Sequence, residues 1–256
     1  MSCTRLQIFS RAPRLGKVKT RLEPFLGKDG CLALHRSLVK HAMDMASKWD
    51  LGKVELWLAD SEQDTAVDSI TSNNSSYAAQ LDACIPSSAY LKFIRAEFNL
   101  PDDIDIYFQK GENLGSRMQF ALQSAIDQGD SSVLIGTDCP KQKISHLLDA
   151  AALLKNGAKM VVQPAEDGGF VLIAYSALDD QSDAFIPVPD ISYGIDWGTS
   201  QVLNQLDKRL SGLGVEYDKI VTLPDLDTKE DFLLLQKDSD PEVVDFCNQI
   251  TSSKMY

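Results

Sequence analysis

Hydrophobic and polar residues follow two different periods along this chain, and the two alternate. Short β-prone apolar runs predict strands at about residues 6–10, 53–59, 104–109, 132–137, 159–163, 170–175 and 219–223. Helical spacing predicts helices at about 29–49, 89–98, 144–155, 197–210 and 228–236, with another around 118–126. Strands that alternate with helices are typical of a parallel sheet covered by helices.

The run Ser132–Thr137 is apolar without interruption, as expected for a central strand that is buried on both faces. We therefore predict a single α/β domain over residues 1–256, a three-layer sandwich with a mostly parallel central sheet. Residues 60–103 are the least legible part of the chain, and the polar segment at about 71–103 within them has no assigned role. In folds of this kind, ligands bind beyond the carboxyl ends of the strands.

Composition narrows the range of partners. The formal net charge of the 256 residues is −12, which disfavours nucleic acid as a partner because a phosphate backbone needs a basic surface. No apolar stretch is long enough to span a membrane, and the amino terminus does not read as a secretory signal. The five cysteines are scattered without metal-ligand spacing. We therefore expect a soluble, cytoplasmic protein.

One loop departs from the acidic average. Residues 11–21, directly after the first predicted strand, contain five basic side chains and no acidic one: Arg11, Arg14, Lys17, Lys19 and Arg21. Gly16 would let the backbone approach a ligand closely. Arginine and lysine supply charge-assisted donors to phosphate. The loop predicts a phosphate site, the alternative being a solvated basic surface.

Three segments at predicted strand ends carry carboxylates. Asp138 follows the central strand, and a metal ion such as Mg²⁺ or Mn²⁺ would satisfy it, the alternative being a helix cap. Glu166 and Asp167 lie in a glycine-containing turn that could equally be an ordinary hairpin. Asp227 could serve the same site as Asp138 or could cap the helix that follows it.

A further strand-to-helix loop, 109–117, contains glycines and could contact a base or a phosphate. Its candidate substrate-binding residues are Gln109, Gly115 and Arg117. The histidines need no functional role, and no Ser–His–Asp or Cys–His arrangement can be argued.

These motifs, in this order, resemble a bacterial family of GT-A-type glycosyltransferase-like proteins associated with radical-SAM or arsenosugar biosynthesis. The resemblance rests on RAPRLGKVKTRL, QKGENLGSRM, GTDCP, PAEDGGF and DLDTKED, and it extends from Leu6 to about Leu235. The family belongs to the nucleotide-diphospho-sugar transferase superfamily, which includes guanylyltransferases. A single Asp138 stands where many GT-A enzymes have Asp-x-Asp, and the segment 187–197 is extended before its tryptophan.

The resemblance implies that Arg11, Lys19 and Arg21 contact the nucleotide phosphates. It also implies that Asp138 and Asp227 bind the metal ion. The leading hypothesis is metal-dependent glycosyl transfer from a nucleotide sugar to an unidentified small-molecule acceptor, with Asp167, Glu166 and Lys19 as catalytic residues. The alternatives are nucleotidyl transfer from an NTP with release of pyrophosphate, and nucleotide binding without catalysis.

Overall fold

The computed structural model describes residues 3–60, 77–177 and 187–253. Within these ranges the strands form one seven-stranded sheet in the order β3-β2-β1-β4-β6-β5-β7. The strands are β1 (Thr4–Arg11), β2 (Val54–Ala59), β3 (Asp105–Phe108), β4 (Ser131–Gly136), β5 (Met160–Pro164), β6 (Phe170–Tyr175) and β7 (Asp218–Lys219). Neighbouring strands run parallel except where β6 pairs with β4 and β5. The mostly parallel sheet is confirmed.

Helices cover both faces of the sheet. They are α1 (Glu23–Ala46), α2 (Tyr77–Asp82), α3 (Ser88–Phe98), α4 (Leu114–Ile126), α5 (Ile144–Lys155), α6 (Val202–Gly212), α7 (Lys229–Leu235) and α8 (Pro241–Ser253). On one face, α1, α3 and α5 pack against the strands in a shared apolar core. On the other face, α4 and α6 form a second core. The three-layer α/β sandwich is therefore confirmed.

Strand β4 lies in the middle of the sheet and contributes to both cores. Val133 and Ile135 point into the core beneath α1 and α5, whereas Leu134 points into the core beneath α4. All three side chains are at most 3% exposed. The uninterrupted apolar run thus reflects burial on both faces, as expected for a central strand.

A third apolar cluster lies on the outer side of α1. Leu34 and Leu38 of α1 pack there with Phe232 of α7 and Phe246 of α8, and Leu226 belongs to the same cluster. Helix α8 was not predicted from the hydrophobic pattern. Because Leu226 packs in this cluster, α8 helps to hold the segment that carries Leu226 and Asp227 against α1.

Several predicted boundaries shift. The first helix begins at Glu23, before the predicted residue 29, with a kink at Gly27. The helix predicted from Trp197 begins at Val202, because Trp197 packs against the second core from the preceding loop. The last predicted strand shortens to the two residues of β7. The polar segment at 71–103 lies outside the described residues as far as residue 76.

Two further expectations concern the whole chain. Among the described helices, none combines the length and the apolarity needed to cross a membrane. All five cysteines are free thiols.

A buried ion pair joins the first two strands at the amino end of the sheet. Glu55 is 1% exposed and accepts hydrogen bonds from Arg5 NH1 at 2.8 Å and from Gln7 Nε2 and Trp57 Nε1 at 2.9 Å each. Arg5 also donates to Asp130 at 2.7 Å. Because these donors converge on one carboxylate, removing it would take the acceptor from Trp57 Nε1 and one charged acceptor each from Arg5 and Gln7, all of them buried.

Glu55→Ala should therefore lower the free energy of unfolding by about 3 kcal/mol, the cost of breaking a buried ion pair. Lys53→Ala, which removes the exposed ion pair between Lys53, just before β2, and Asp105 of β3, should change it by less than about 0.5 kcal/mol. Urea unfolding of both variants measures the difference. Equal effects would show that the buried network contributes no more than a surface pair.

Candidate functional site

A cleft of about 910 Å³ opens at the carboxyl ends of β1, β2 and β4. All five sequence motifs contribute residues to it, including Gln109 and Arg117 of the loop 109–117. Arg11, Lys19, Asp138, Asp167 and Asp227 all line it. A concave site of this size, with a few converging polar groups, is typical of small-molecule binding.

The turn 165–169 reaches this cleft because β5 and β6 are antiparallel. The carboxyl end of β5 and the start of β6 therefore lie at the same edge of the sheet as the carboxyl end of β4. Gly168 has φ +91° and packs so closely on the next segment that an added Cβ would lie 2.1 Å from the carbonyl oxygen of Ser200. The turn places Asp167 in the cleft, whereas Glu166 does not line it and is exposed.

At the base of the cleft, the ammonium of Lys19 joins the two carboxylates that were predicted to bind metal. Lys19 Nζ lies 2.9 Å from Asp138 Oδ1 and 3.2 Å from Asp227 Oδ1, and it donates to the carbonyl oxygen of Leu226 at 2.6 Å. The Lys19 side chain is only 5% exposed, whereas that of Asp138 is 53% exposed. The three donors of the ammonium thus have three acceptors.

Local backbone geometry holds this ion cluster in place. Lys19 adopts the left-handed conformation, with φ 49° and ψ 38°, which is uncommon outside glycine and typical of functional sites. The N–H of Leu226 donates to the carbonyl oxygen of Asp138 at 2.8 Å, so the two carboxylate-bearing segments are tied together through their backbones.

The charges of the cluster stabilise one another. Burial would lower the pKa of Lys19, but the carboxylates of Asp138 and Asp227 outweigh it and raise that pKa. Desolvation would likewise raise the pKa of Asp138, but the Lys19 ammonium outweighs it and the pKa is lowered. Both groups are therefore charged at neutral pH.

The basic loop has three roles for its cations, the first being the contacts of Lys19 and Arg21 with the aspartates. Arg14 donates to Asp60 Oδ1 and Oδ2 at 2.7 Å each, and Tyr90 Oη donates to Asp60 Oδ2 at 2.6 Å, which anchors the loop to the end of β2. Arg11 and Lys17 line the cleft and have no ion-pair partner among the described residues. These two cations are the ones placed to meet an anionic ligand. Gly16, with φ +70°, shapes the loop but does not itself line the cleft.

The capping alternatives for the two aspartates do not hold. The side chain of Thr228 caps α7 by accepting the N–H of Asp231, while Asp227 Oδ2 lies 3.1 Å from Arg21 NH1. Helix α5 begins after Lys143, five residues beyond Asp138. Neither carboxylate is therefore explained by a helix terminus.

The three residues predicted in the loop 109–117 have different roles. Gln109 lines the cleft, and its Nε2 donates to the carbonyl oxygens of Ser10 and Trp57 at 3.1 and 3.0 Å, so it ties three strand ends together. Arg117 lines the cleft, and its Nε donates to the carbonyl oxygen of Gly111 at 2.9 Å. Gly115 instead lies under the indole of Trp197 and does not line the cleft.

Sequence reasoning overlooked Asp225, which also lines the cleft. Burial, followed by the carboxylates of Asp167 and Asp227, raises the pKa of Asp225 to about 6. Its position two residues before Asp227 was the available signal, because residues i and i+2 of an extended segment point to the same side. The cleft therefore holds two groups of carboxylates: Asp138 and Asp227 around Lys19, and Asp225 with Asp167.

Known proteins share this fold and sequence pattern. A family described as "Uncharacterized protein conserved in bacteria (DUF2064)" matches residues 42–199. A Desulfovibrio desulfuricans G20 structure, provisionally assigned as a nucleotide-diphospho-sugar transferase, aligns with a TM-score of 0.76 and 23% identity over 99% of this chain and 96% of that one. The 4-diphosphocytidyl-2C-methyl-D-erythritol synthase of Anaerococcus prevotii DSM 20548 aligns with a TM-score of 0.51 and 9% identity, over 91% and 94%. None of the curated proteins matches the chain. At these identities, the two structures establish the fold.

The raised pKa of Asp225 predicts how the free energy of unfolding depends on pH. Between about pH 4, the pKa of an unfolded aspartate, and pH 6, the folded protein binds this proton more tightly, so its stability falls as the pH rises through that window. At pH 8 and without added metal, Asp225→Asn should raise the free energy of unfolding by about 1 kcal/mol, allowing for partial exposure, or Tm by about 2–4 °C.

At pH 4 the gain should vanish, because Asp225 is then protonated in the folded protein. The exposed Asp149→Asn on α5 serves as the control and should leave Tm unchanged at both pH values. Thermal unfolding followed by circular dichroism measures all four shifts. A loss of stability in Asp225→Asn at pH 8 would contradict the assigned pKa.

Proposed function

The chain belongs to the DUF2064 family, and we propose that it is a transferase that takes a glycosyl group from a nucleotide-diphospho-sugar and passes it to a small-molecule acceptor. One observation carries the proposal. Arg11 and Lys17, without ion-pair partners in the described chain, face the same cleft as the Lys19 cluster and Asp167. Cations for a diphosphate and a carboxylate for an acceptor hydroxyl therefore share one concave site.

The donor diphosphate would bind in the cationic half of the cleft. Arg11 and Lys17 supply charge-assisted hydrogen bonds, and the anchoring of Arg14 to Asp60 fixes the loop that carries them. When the bond between the sugar and the diphosphate breaks, negative charge develops on the leaving oxygen. Cations positioned in advance stabilise that charge without reorganisation.

Asp138 and Asp227 fit a divalent cation such as Mg²⁺ or Mn²⁺. Both carboxylates already converge on one positive charge, the Lys19 ammonium, and one or two carboxylates together with substrate phosphates suffice for such ions. The described residues contain no group of three or more His, Cys, Asp or Glu side chains arranged for a metal, so the phosphates would have to complete the site. The ion would supply further neutralisation of the leaving diphosphate.

Lys19 would respond to such an ion. Its ammonium is bound to both carboxylates, so sharing them with a second cation requires it to give up part of these contacts. The diphosphate would be the new acceptor within reach of a flexible lysine side chain. Lys19 would then serve the leaving group, the catalytic role inferred from the sequence.

Asp167 is the residue best placed to act on the acceptor. It lines the cleft, and one of its oxygens, Oδ1, accepts the N–H of Gly169 at 2.8 Å, which fixes the carboxylate. The acceptor hydroxyl would transfer its proton to Asp167, or be oriented by it, as its oxygen bonds to the sugar carbon. Glu166, the second candidate from the sequence, is exposed and does not line the cleft. We propose Asp225, which does line the cleft, as the second candidate for the carboxylate that acts on the acceptor.

A product assay tests this function. The protein is incubated with Mg²⁺ or Mn²⁺ and either NTPs or nucleotide sugars, and released pyrophosphate and nucleoside diphosphate are measured separately. We expect slow release of nucleoside diphosphate from a nucleotide sugar, lowered at least about tenfold in Asp167→Asn because a positioned acid or base contributes at least that much. The exposed Asp149→Asn is the control and should behave as wild type.

Release of pyrophosphate from an NTP would contradict glycosyl transfer and favour nucleotidyl transfer. Nucleotide binding without turnover of any substrate in the panel would favour a binding protein. Undiminished turnover in Asp167→Asn would refute the role of that residue.

A further inference from the structure

The cleft has a second half that the phosphate chemistry does not use. This part of the cleft is apolar, in contrast to the basic loop. We call it the apolar wall, and it consists of Leu114, Phe170, Trp197 and Val202. Leu114 is 44% exposed and Trp197 is half-buried. An apolar surface offers a phosphate neither a cation nor a hydrogen-bond donor, so the wall suits a ligand group of different chemistry.

Trp197 is held rigidly on this wall. Its indole packs on the first turn of α4, where an added Cβ on Gly115 would lie 2.5 Å from Trp197 Cζ2. The rings of Phe170 and Trp197 meet edge to face, with centroids 6.2 Å apart and planes at 79°. The glycine and the second ring fix the orientation of the indole, so a ligand finds an ordered aromatic surface.

The apolar wall also adjoins a carboxylate. The N–H of Leu203 donates to the carbonyl oxygen of Gly168 at 2.9 Å, and Gly168 packs against Ser200. The turn that carries Asp167 is thereby seated on the segment that begins with Trp197. An aromatic surface and an acceptor for hydroxyl hydrogens consequently occupy the same side of the cleft.

One polar atom of the wall lacks a hydrogen-bond partner in the described part of the chain. The indole Nε1 of Trp197 is buried and forms no hydrogen bond within the described residues. A buried donor without a partner costs about 1–3 kcal/mol. Because this atom has no accessible surface, the part of the indole that a ligand in the cleft meets is its carbon surface.

We propose that Trp197, Phe170 and Asp167 form a subsite for a pyranose ring, with its C–H face on the indole and a hydroxyl on the carboxylate. A pyranose is the class of group that combines an apolar face with hydroxyl edges, matching an aromatic surface beside an acid. This inference rests on the proposed function, because that function supplies two sugars that could occupy the subsite: the one transferred from the donor and the one that a glycoside acceptor would present.

Tryptophan fluorescence gives a direct test, because Trp49 and Trp57 are 7% and 0% exposed and Trp197 is the accessible third. Protection of Trp197 from acrylamide quenching is measured with UDP, UDP-glucose, GDP, GDP-mannose and the methyl glucoside and mannoside. We expect at least one sugar-containing ligand to protect Trp197, and neither nucleoside diphosphate to do so. Protection by a nucleotide sugar identifies the donor sugar as the occupant, and protection by a methyl glycoside alone identifies an acceptor sugar.

Variants measured by calorimetry separate this inference from the proposed function. In Trp197→Ala the affinity for the protecting ligand should fall at least about tenfold, a loss of about 1.4 kcal/mol, while that for the nucleoside diphosphate stays within about twofold. Trp197→Phe retains an aromatic ring and should lose less of the affinity for the protecting ligand. It controls for misfolding of Trp197→Ala. Tyr193→Ala removes a 73% exposed aromatic residue of the same loop outside the cleft and should behave as wild type.

Three outcomes would overturn the subsite. In the first, UDP or GDP protects Trp197 as well as its sugar derivative, which would place the base on the indole. In the second, Trp197→Ala weakens diphosphate and nucleotide-sugar binding equally. In the third, no sugar protects Trp197, even if the diphosphates bind. Failure of all nucleotides to bind, with protection by a methyl glycoside, would refute the proposed function and retain the subsite.

Discussion

The ammonium of Lys19 is the interaction on which the site depends. It sits between Asp138 and Asp227, brought from the end of the central strand and from the start of α7, and it neutralises two carboxylates that would otherwise repel each other at the base of a cleft. Without a cation at this point, the two carboxylates would repel each other and oppose the backbone hydrogen bond and apolar packing that bring their segments together. Because Asp138 and Asp227 already share one cation, the Lys19 ammonium, they are suited to binding a second cation.

The fold positions the other parts of the site. Reversal of β6 brings the Asp167 turn to the edge where β1 and β4 end, and α8 packs on α1 so that Leu226 is buried next to Asp138. The result is a cleft lined by cations and carboxylates together with an aromatic wall that adjoins the Asp167 turn. Asp225, with its pKa raised to about 6, shows that the folded protein maintains this concentration of acids at a cost in stability.

Sequence patterns predicted the fold well because burial on both faces leaves a clear signature, as in Ser132–Thr137. The same patterns placed Asp138 and Asp167 at strand ends, which is a local property. They could not show that Lys19 contacts Asp227, since that contact joins residues 208 positions apart. Nor could they separate Glu166 from Asp167, because which of two adjacent side chains enters a cleft depends on the packing of Gly168 against Ser200. Trp197 was assigned to a helix because periodicity does not distinguish a loop residue packed on the core from a helical one.

We propose that Asp138 and Asp227 bind a cation together with a nucleotide diphosphate. Calorimetric titration of UDP and GDP, each with and without Mg²⁺, tests it most directly, using wild type, Asp138→Asn and the cleft-lining control Glu112→Gln. Mg²⁺ should tighten binding at least about tenfold in wild type and in Glu112→Gln, and by less than about twofold in Asp138→Asn. Binding that ignores Mg²⁺ in wild type, or that keeps its full Mg²⁺ dependence in Asp138→Asn, would contradict it.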